Sequence, residues 1–158
     1  MKIIVPHHRL NAPAESALRE LGIDYRPYDT SLDNETYFRV LEAVWSQEEG
    51  FIVLEGDKVP DQTALQELWD CEHDWCTYPV PLRDGTDSWS EYASLSCTKF
   101  STELIHTLPN LFEDVARFNM GFGQKHWDRL GLAVWCALRR YVDVHWHGSG
   151  RVAHLHQT

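Results

Sequence analysis

Three times between Lys2 and Trp69 the chain sets a short apolar run beside a stretch whose apolar residues recur at helical spacing. Lys2 to Val5 reads as a buried strand. Ala14, Ala17, Leu18 and Leu21 follow as one helical face, with Pro13 near its start and Gly22 just past its end. Ile23 to Tyr28 is a second strand. After an Asp-rich turn from Asp29 to Asp33, the residues Tyr37, Phe38, Leu41, Val44 and Trp45 make a second stripe, which Gly50 ends. Phe51 to Leu54 is apolar at every position, as a strand covered on both faces requires. Pro60 then opens a helix whose inward positions are Ala64, Leu65, Leu68 and Trp69. Right-handed crossovers place these first three strands parallel in one sheet.

Beyond Trp69 the order changes. Asp74 to Val80 reads as a fourth strand and Arg83 to Ser90 as a polar loop, in which Trp89 has no apolar stripe to join and is free to stack on a ligand. Tyr92 to Thr98 reads as a strand leading into a helix capped at Ser101, and Phe112 to Phe118 as another helix. Asn119 to Gln124, with its two glycines, reads as a mobile loop. A long helix follows, with Trp127, Leu130, Val134, Leu138 and Tyr141 on one face, and Val144 to His147 and Val152 to His156 are short alternating strands. The expected fold class is α/β: one Rossmann-like domain over residues 1–158, with a mostly parallel central sheet flanked by helices and short C-terminal antiparallel strands.

Composition narrows the function classes. A chain of 158 residues with 43% hydrophobic side chains has material for one core and is too apolar for a disordered tail. Its longest apolar run, Leu130 to Leu138, falls short of the roughly 18 residues that a bilayer span needs. The opening MKIIVPHHRL lacks the apolar stretch of a secretory leader. The four cysteines, Cys71, Cys76, Cys97 and Cys136, contain no C-x-x-C pair, which argues against a tetrathiolate zinc site and for reduced, partly buried thiols in a cytoplasmic protein. A net charge of −10 opposes a protein that gains its affinity by coating phosphates with basic residues. From Ser101 onward, however, basic residues outnumber acidic ones and six of the nine histidines are found, so this third is the expected meeting place for an anion.

In open α/β sheets ligands bind outside the carboxyl ends of the strands. The third strand ends in Leu54-Glu55-Gly56-Asp57, two carboxylates flanking a glycine, which suits a hard divalent cation and equally suits a plain surface turn. His145 and His147, and again His154 and His156, stand two apart. On a strand each pair shares a face, as ligands for Mn or Zn or as a solvent-facing stripe. Asp128 opens the long helix, where the helix dipole favours an acid and where a general base would also serve. Ser96 and Ser101 lack the nucleophile-elbow pattern of a serine hydrolase.

In this order the motifs resemble those of a compact glycosyltransferase of the GT-A type, the nucleotide-sugar-dependent group with a Rossmann-like sheet. Phe51-Ile-Val-Leu-Glu-Gly-Asp57, followed by Lys58-Val-Pro60, resembles that group's apolar strand and D-x-D metal motif, with Glu55 in the first acidic place. Cys97-Thr-Lys-Phe-Ser101 looks like the segment lining the donor sugar and acceptor. Trp127-Asp128 is similar to the acidic pair opening the catalytic helix, with Trp127 in place of the first acid. Val152-Ala-His154-Leu-His156 resembles the terminal strand whose histidine completes the metal shell. In style the chain is most similar to phage-encoded members, some of which glycosylate modified bases in DNA, an acceptor that the charge of −10 opposes.

The resemblance implies a sugar transfer from a nucleoside diphosphate sugar to an acceptor hydroxyl, on a modified DNA base or a glycan, with Mn2+ or Mg2+ as cofactor. It implies that Pro6, His7, His8, Arg9 and Asp29 frame the nucleoside and that Glu55 touches ribose or a metal-bound water. Asp57, His154 and His156 would hold the metal, and Asp128 would take the acceptor's proton. Two other readings use the same residues: a metal-dependent phosphoester hydrolase, and a non-catalytic module that binds a nucleotide or a host protein.

Overall fold

The computed structural model describes residues 1–8, 12–33, 35–80, 93–121 and 127–154. The first half alternates as the periodicity requires: β1 (Ile3–His7), α1 (Ala12–Glu20), β2 (Arg26–Asp29), α2 (Thr36–Trp45) and β3 (Phe51–Leu54). A short strand β4 (Lys58–Pro60) intervenes before α3 (Ala64–Asp70). There follow β5 (Trp75–Thr77), β6 (Cys97–Phe100), α4 (Thr102–Thr107), α5 (Leu111–Gly121), α6 (Trp127–Leu138), β7 (His145–Trp146) and β8 (Val152–His154).

Six strands form one sheet in the order β2-β1-β3-β6-β5-β7. β1 pairs parallel with both β2 and β3, and β5 pairs parallel with β7. β6 lies antiparallel to both of its neighbours, β3 and β5, so five strands point one way and β6 alone is reversed. The α/β class with a mostly parallel sheet is therefore the observed one. Alternation along the strands explains why both faces are covered. Ile4, Phe51, Val53 and Phe100 join a core with α2, α4, α5 and α6, where Trp45 packs edge-on against Phe51 and Phe100. Ile3, Val5, Ile52 and Leu54 point the other way, onto Leu18 of α1 and Ala64, Leu65 and Leu68 of α3.

Several expectations need correction. Pro60 does not open a helix. It ends β4, a strand paired antiparallel with β8 in a separate two-stranded sheet, where a residue without an N–H is tolerated at an edge. α3 starts only at Ala64, after the Asp61 carboxylate accepts from the N–H groups of Thr63 and Ala64 at 3.1 and 3.0 Å. The reversed strand is Cys97–Phe100: it runs two residues beyond the expected end at Thr98, through Lys99 to Phe100, and the expected start at Tyr92 lies outside the described residues. Of the two C-terminal strands, β8 supplies the expected short antiparallel pairing, with β4, and β7 extends the main sheet in parallel. The Ser101 cap is as expected, its Oγ accepting from the Leu104 N–H at 3.0 Å. α5 runs to Gly121, into the segment expected as a mobile loop, whose remainder lies outside the described residues, as does the loop bearing Trp89. Among the described residues no helix is long and apolar enough to cross a membrane.

Candidate active site

The parallel arrangement of β1, β2 and β3 brings their carboxyl ends to one edge, and backbone hydrogen bonds tie those ends together. His7 lies opposite Asp29 in the register. The N–H of Thr30 donates to the His7 carbonyl at 2.8 Å, and the N–H of Gly56 donates to the Pro6 carbonyl at 3.0 Å. Pro6, His7, Asp29 and the Glu55-Gly56-Asp57 turn thus share this edge. The Asp29 carboxylate is fixed by the Ser31 hydroxyl and N–H, at 2.5 and 2.9 Å, which hold it below the usual carboxylate range. His8 is exposed, and Arg9 and His156 lie outside the described residues. Nδ1 of His7 is buried and has no hydrogen-bond partner among the described residues. A buried polar atom left unpaired costs desolvation energy, which a ligand hydroxyl or base nitrogen would relieve.

Glu55 and Asp57 leave this turn in different directions. One oxygen of Glu55 accepts from Ser96 Oγ at 2.9 Å and the other from the Tyr37 hydroxyl at 3.2 Å. Burial raises the Glu55 carboxyl above its ordinary value, and the ammonium of Lys58 and the two hydroxyls only partly reverse that. Burial would raise Asp57 as well, but Lys58 and then His154 pull it below the usual range. Lys58 forms an ion pair with Oδ1 of Asp57, and Nε2 of His154 lies 2.7 Å from Oδ2.

The β4–β8 ladder makes this meeting possible. Lys58 and His154 are register partners across 97 residues of sequence separating His154 from Asp57, so the terminal strand delivers its imidazole to the turn after β3. A further clamp sets the strand's position. Arg151 pairs with both Asp61 and Glu67, and the Asp61 N–H donates to the Arg151 carbonyl at 2.7 Å. Lys58, Tyr37 and Ser96 were not among the expected site residues. Lys58 had a signal in its adjacency to Asp57, whereas Tyr37 sits in an apolar helical stripe and Ser96 in no motif at all.

The donor set suits a divalent cation. Mg2+ and Mn2+ are held by one or two carboxylates together with substrate phosphates and water, and an imidazole tilts the choice toward the softer Mn2+. Oδ2 of Asp57 and Nε2 of His154 face one another, while Lys58 covers Oδ1. Asp128 is the second residue of α6, a helix that packs on α2 and α5, and its side chain lies outside what the structure describes. The His145 and His147 rings stand 5.0 Å apart at the β7 edge and do not join Asp57.

No protein-family model matches the chain, and no curated protein sequence matches it. Solved structures do. A glycosyltransferase involved in the glycosylation of the major capsid of PBCV-1 aligns with a TM-score of 0.54 at 11% identity, over 99% of this chain and 94% of that one. CTP:phosphocholine cytidylyltransferase from Streptococcus pneumoniae aligns with a TM-score of 0.51 at 13% identity, over 98% of this chain and 72% of that one. The A197 protein from STIV aligns with a TM-score of 0.50 at 13% identity, over 66% of each chain. At such identities the likeness is one of fold, and the Rossmann-like α/β fold expected from the sequence is the fold this chain shares with them.

Proposed function

We propose that the chain is a divalent-cation-dependent glycosyltransferase that moves a sugar from a nucleoside diphosphate sugar to an acceptor hydroxyl. The observation that carries this reading is the approach of His154 to Asp57, 2.7 Å apart at the carboxyl end of the central strand β3. That is where a doubly wound sheet takes a nucleotide. Two neighbours that align over nearly all of this chain support it, one named a glycosyltransferase and the other a CTP:phosphocholine cytidylyltransferase.

Asp57 and His154, with His156 beside them in sequence, are the residues assigned to the cation. When bound, a Mn2+ or Mg2+ ion supplies positive charge against a diphosphate leaving group. Pro6, His7, His8, Arg9 and Asp29 frame the nucleoside, and the unpaired Nδ1 of His7 is the atom assigned to contact it. Glu55, held by Ser96 and Tyr37, fixes the turn and offers its carboxyl edge to ribose or a water. Lys58 balances Asp57 and stands ready to meet a phosphate oxygen. Asp128 takes the acceptor's proton.

Calorimetry with UDP and GDP, with Mn2+ or with chelator, tests the cation's role. Mn2+ is expected to tighten binding by at least roughly tenfold, about 1.4 kcal/mol, and Asp57→Asn to remove that gain while the chain stays folded. Equal affinity with and without Mn2+ would sink the reading. Mass spectrometry of donor, acceptor and product then separates the classes. A sugar-bearing acceptor marks a transferase, free sugar alone marks a hydrolase, and binding without turnover marks a non-catalytic module. In the same assay Asp128→Asn should cut turnover by roughly 10² or more and leave nucleotide affinity within a few-fold.

A further inference from the structure

On the α3 side of the sheet a second set of metal-ligating side chains, Cys71, His145 and His147, converges, with Cys76 beside Cys71. Cys71 lies just after α3, Cys76 is in β5, and His145 and His147 flank Trp146 on β7. Cys76 and His145 are register partners in the parallel β5–β7 pair, and the His147 N–H donates to the Thr77 carbonyl at 2.8 Å, so the backbone fixes both histidines beside both cysteines. One ligand atom from each of Cys71, His145 and His147 lies within 4.8 Å of the others. The Cys76 sulfur is 2.7 Å from that of Cys71.

The remaining neighbours pack on the imidazole rings. His73 stacks on His145 with ring centroids 4.0 Å apart and planes 7° from parallel. The Tyr78 ring lies 4.8 Å from that of His147, and Nε2 of His147 is buried with no hydrogen-bond partner among the described residues. A buried polar atom left unpaired costs desolvation energy, which a bond to a metal would relieve.

We propose that Cys71, Cys76, His145 and His147 form a structural zinc site that ties the edge strand β7 to β5 and to the end of α3. The donor chemistry selects the metal: two sulfurs and two imidazoles in a tetrahedral set suit Zn2+ and disfavour the Mg2+ or Mn2+ assigned to the Asp57 turn. Charge agrees with it, because two thiolates neutralise a divalent ion and leave no net charge in a half-buried place. Each thiol gives its proton to solvent as its S–Zn bond forms. The sulfurs must spread to about 3.8 Å, the separation set by two bonds of about 2.3 Å at a tetrahedral angle. Cys71 and Cys76 stand five apart and the two histidines belong to a strand far along the chain, a spacing with no motif to announce it.

Cobalt provides the test, because Co2+ bound to thiolate gives a near-ultraviolet charge-transfer band that an oxygen and imidazole site lacks. The reduced protein, kept so by a phosphine rather than a thiol, is titrated with Co2+ and the cobalt is then displaced by Zn2+. A band saturating at one equivalent, lost on zinc addition, is expected. Cys71→Ser and His147→Ala should each weaken zinc binding by more than the roughly 10- to 100-fold that removing an outer-shell partner costs. Cys76→Ser should halve the band, and Asp57→Asn should leave it unchanged, with circular dichroism confirming that each variant is folded. The absence of a band in the wild type, a band retained at full strength in Cys71→Ser, or unaltered affinity in both His145→Ala and His147→Ala would overturn the proposal.

Discussion

Glu55 and Asp57 stand two positions apart on one turn, and their surroundings move their carboxyls in opposite directions. Burial raises both, but only Asp57 has an ammonium and an imidazole against its oxygens to reverse the effect. The consequences for stability also differ in sign. A carboxyl raised by the fold costs nothing below its unfolded value of about 4.3, and its cost grows as pH rises from there to the folded value and stays full above it. A carboxyl lowered by the fold stabilises above its unfolded value of about 3.9, a gain lost as pH falls through the lower folded value. Glu55→Gln removes the first effect and keeps the second, and its amide can still serve both the Ser96 and the Tyr37 hydroxyls. Urea midpoints of this variant and the wild type are therefore expected to coincide near pH 4 and to separate in favour of Gln as the pH is raised. Parallel curves would mean that Glu55 ionises freely in the folded chain.

Among the elements, the β4–β8 ladder has the most to do with the site and was the least visible in advance. Val152 anchors it, 2% exposed and packed in the core under α1 and α3. Val152→Ala removes about two methylene equivalents at roughly 0.8 kcal/mol each, plus a cavity contribution, for a loss of about 1.5–2.5 kcal/mol. Because His154 is two residues further along the strand, the same variant should also weaken the Mn2+-dependent part of nucleotide binding, measured by calorimetry well below the melting range. Arg151→Ala, at an exposed pair of contacts, should cost no more than about 1 kcal/mol in stability. Elements with a period of two or of 3.6 were readable: β1, β3, α2 and the inward face of α3 are where the apolar residues put them. β4 is three residues ending in proline, and β6 buries Thr98 and Lys99, so neither has an apolar pattern to read. The site divides the same way. Asp57 was readable as a turn after an apolar strand, and His154 by its spacing two residues from His156 on an alternating strand. The Glu55 contacts with Ser96 and Tyr37 are tertiary, 41 and 18 residues away in sequence, and no local spacing encodes them.

For the molecule as a whole, the reversed strand β6 is the joint of the sheet. β3 and β5 are both parallel members, yet they never touch; each pairs with β6. Across that seam the Thr77 and Thr98 hydroxyls meet at 2.8 Å in a fully buried position, and Trp45, Phe51, Phe100 and Phe112 close over the same face. Removing β6 would leave two half-sheets with unpaired edges and an opened aromatic core. A fragment of residues 1–80 holds β1, β2, β3 and β5 but not β6, and it is expected to lack protection from protease and cooperative unfolding, while the whole chain shows both. A protease-resistant, cooperatively unfolding fragment would show that the three N-terminal strands and their helices are self-sufficient.

The long span between Asp57 and His154 has a meaning in time as well as in space. Synthesis proceeds from the N-terminus, so β1, β2, β3 and the Glu55-Gly56-Asp57 segment are on hand while most of the chain has yet to be made. At that stage Lys58 is the only partner that the described structure gives to the Asp57 carboxylate. The imidazole arrives only once β8 has been made and has found β4, by which time the sheet has closed around β6. A nascent chain therefore holds Asp57 long before it has His154 to set against it, and the contact between the two forms only when the fold is finished.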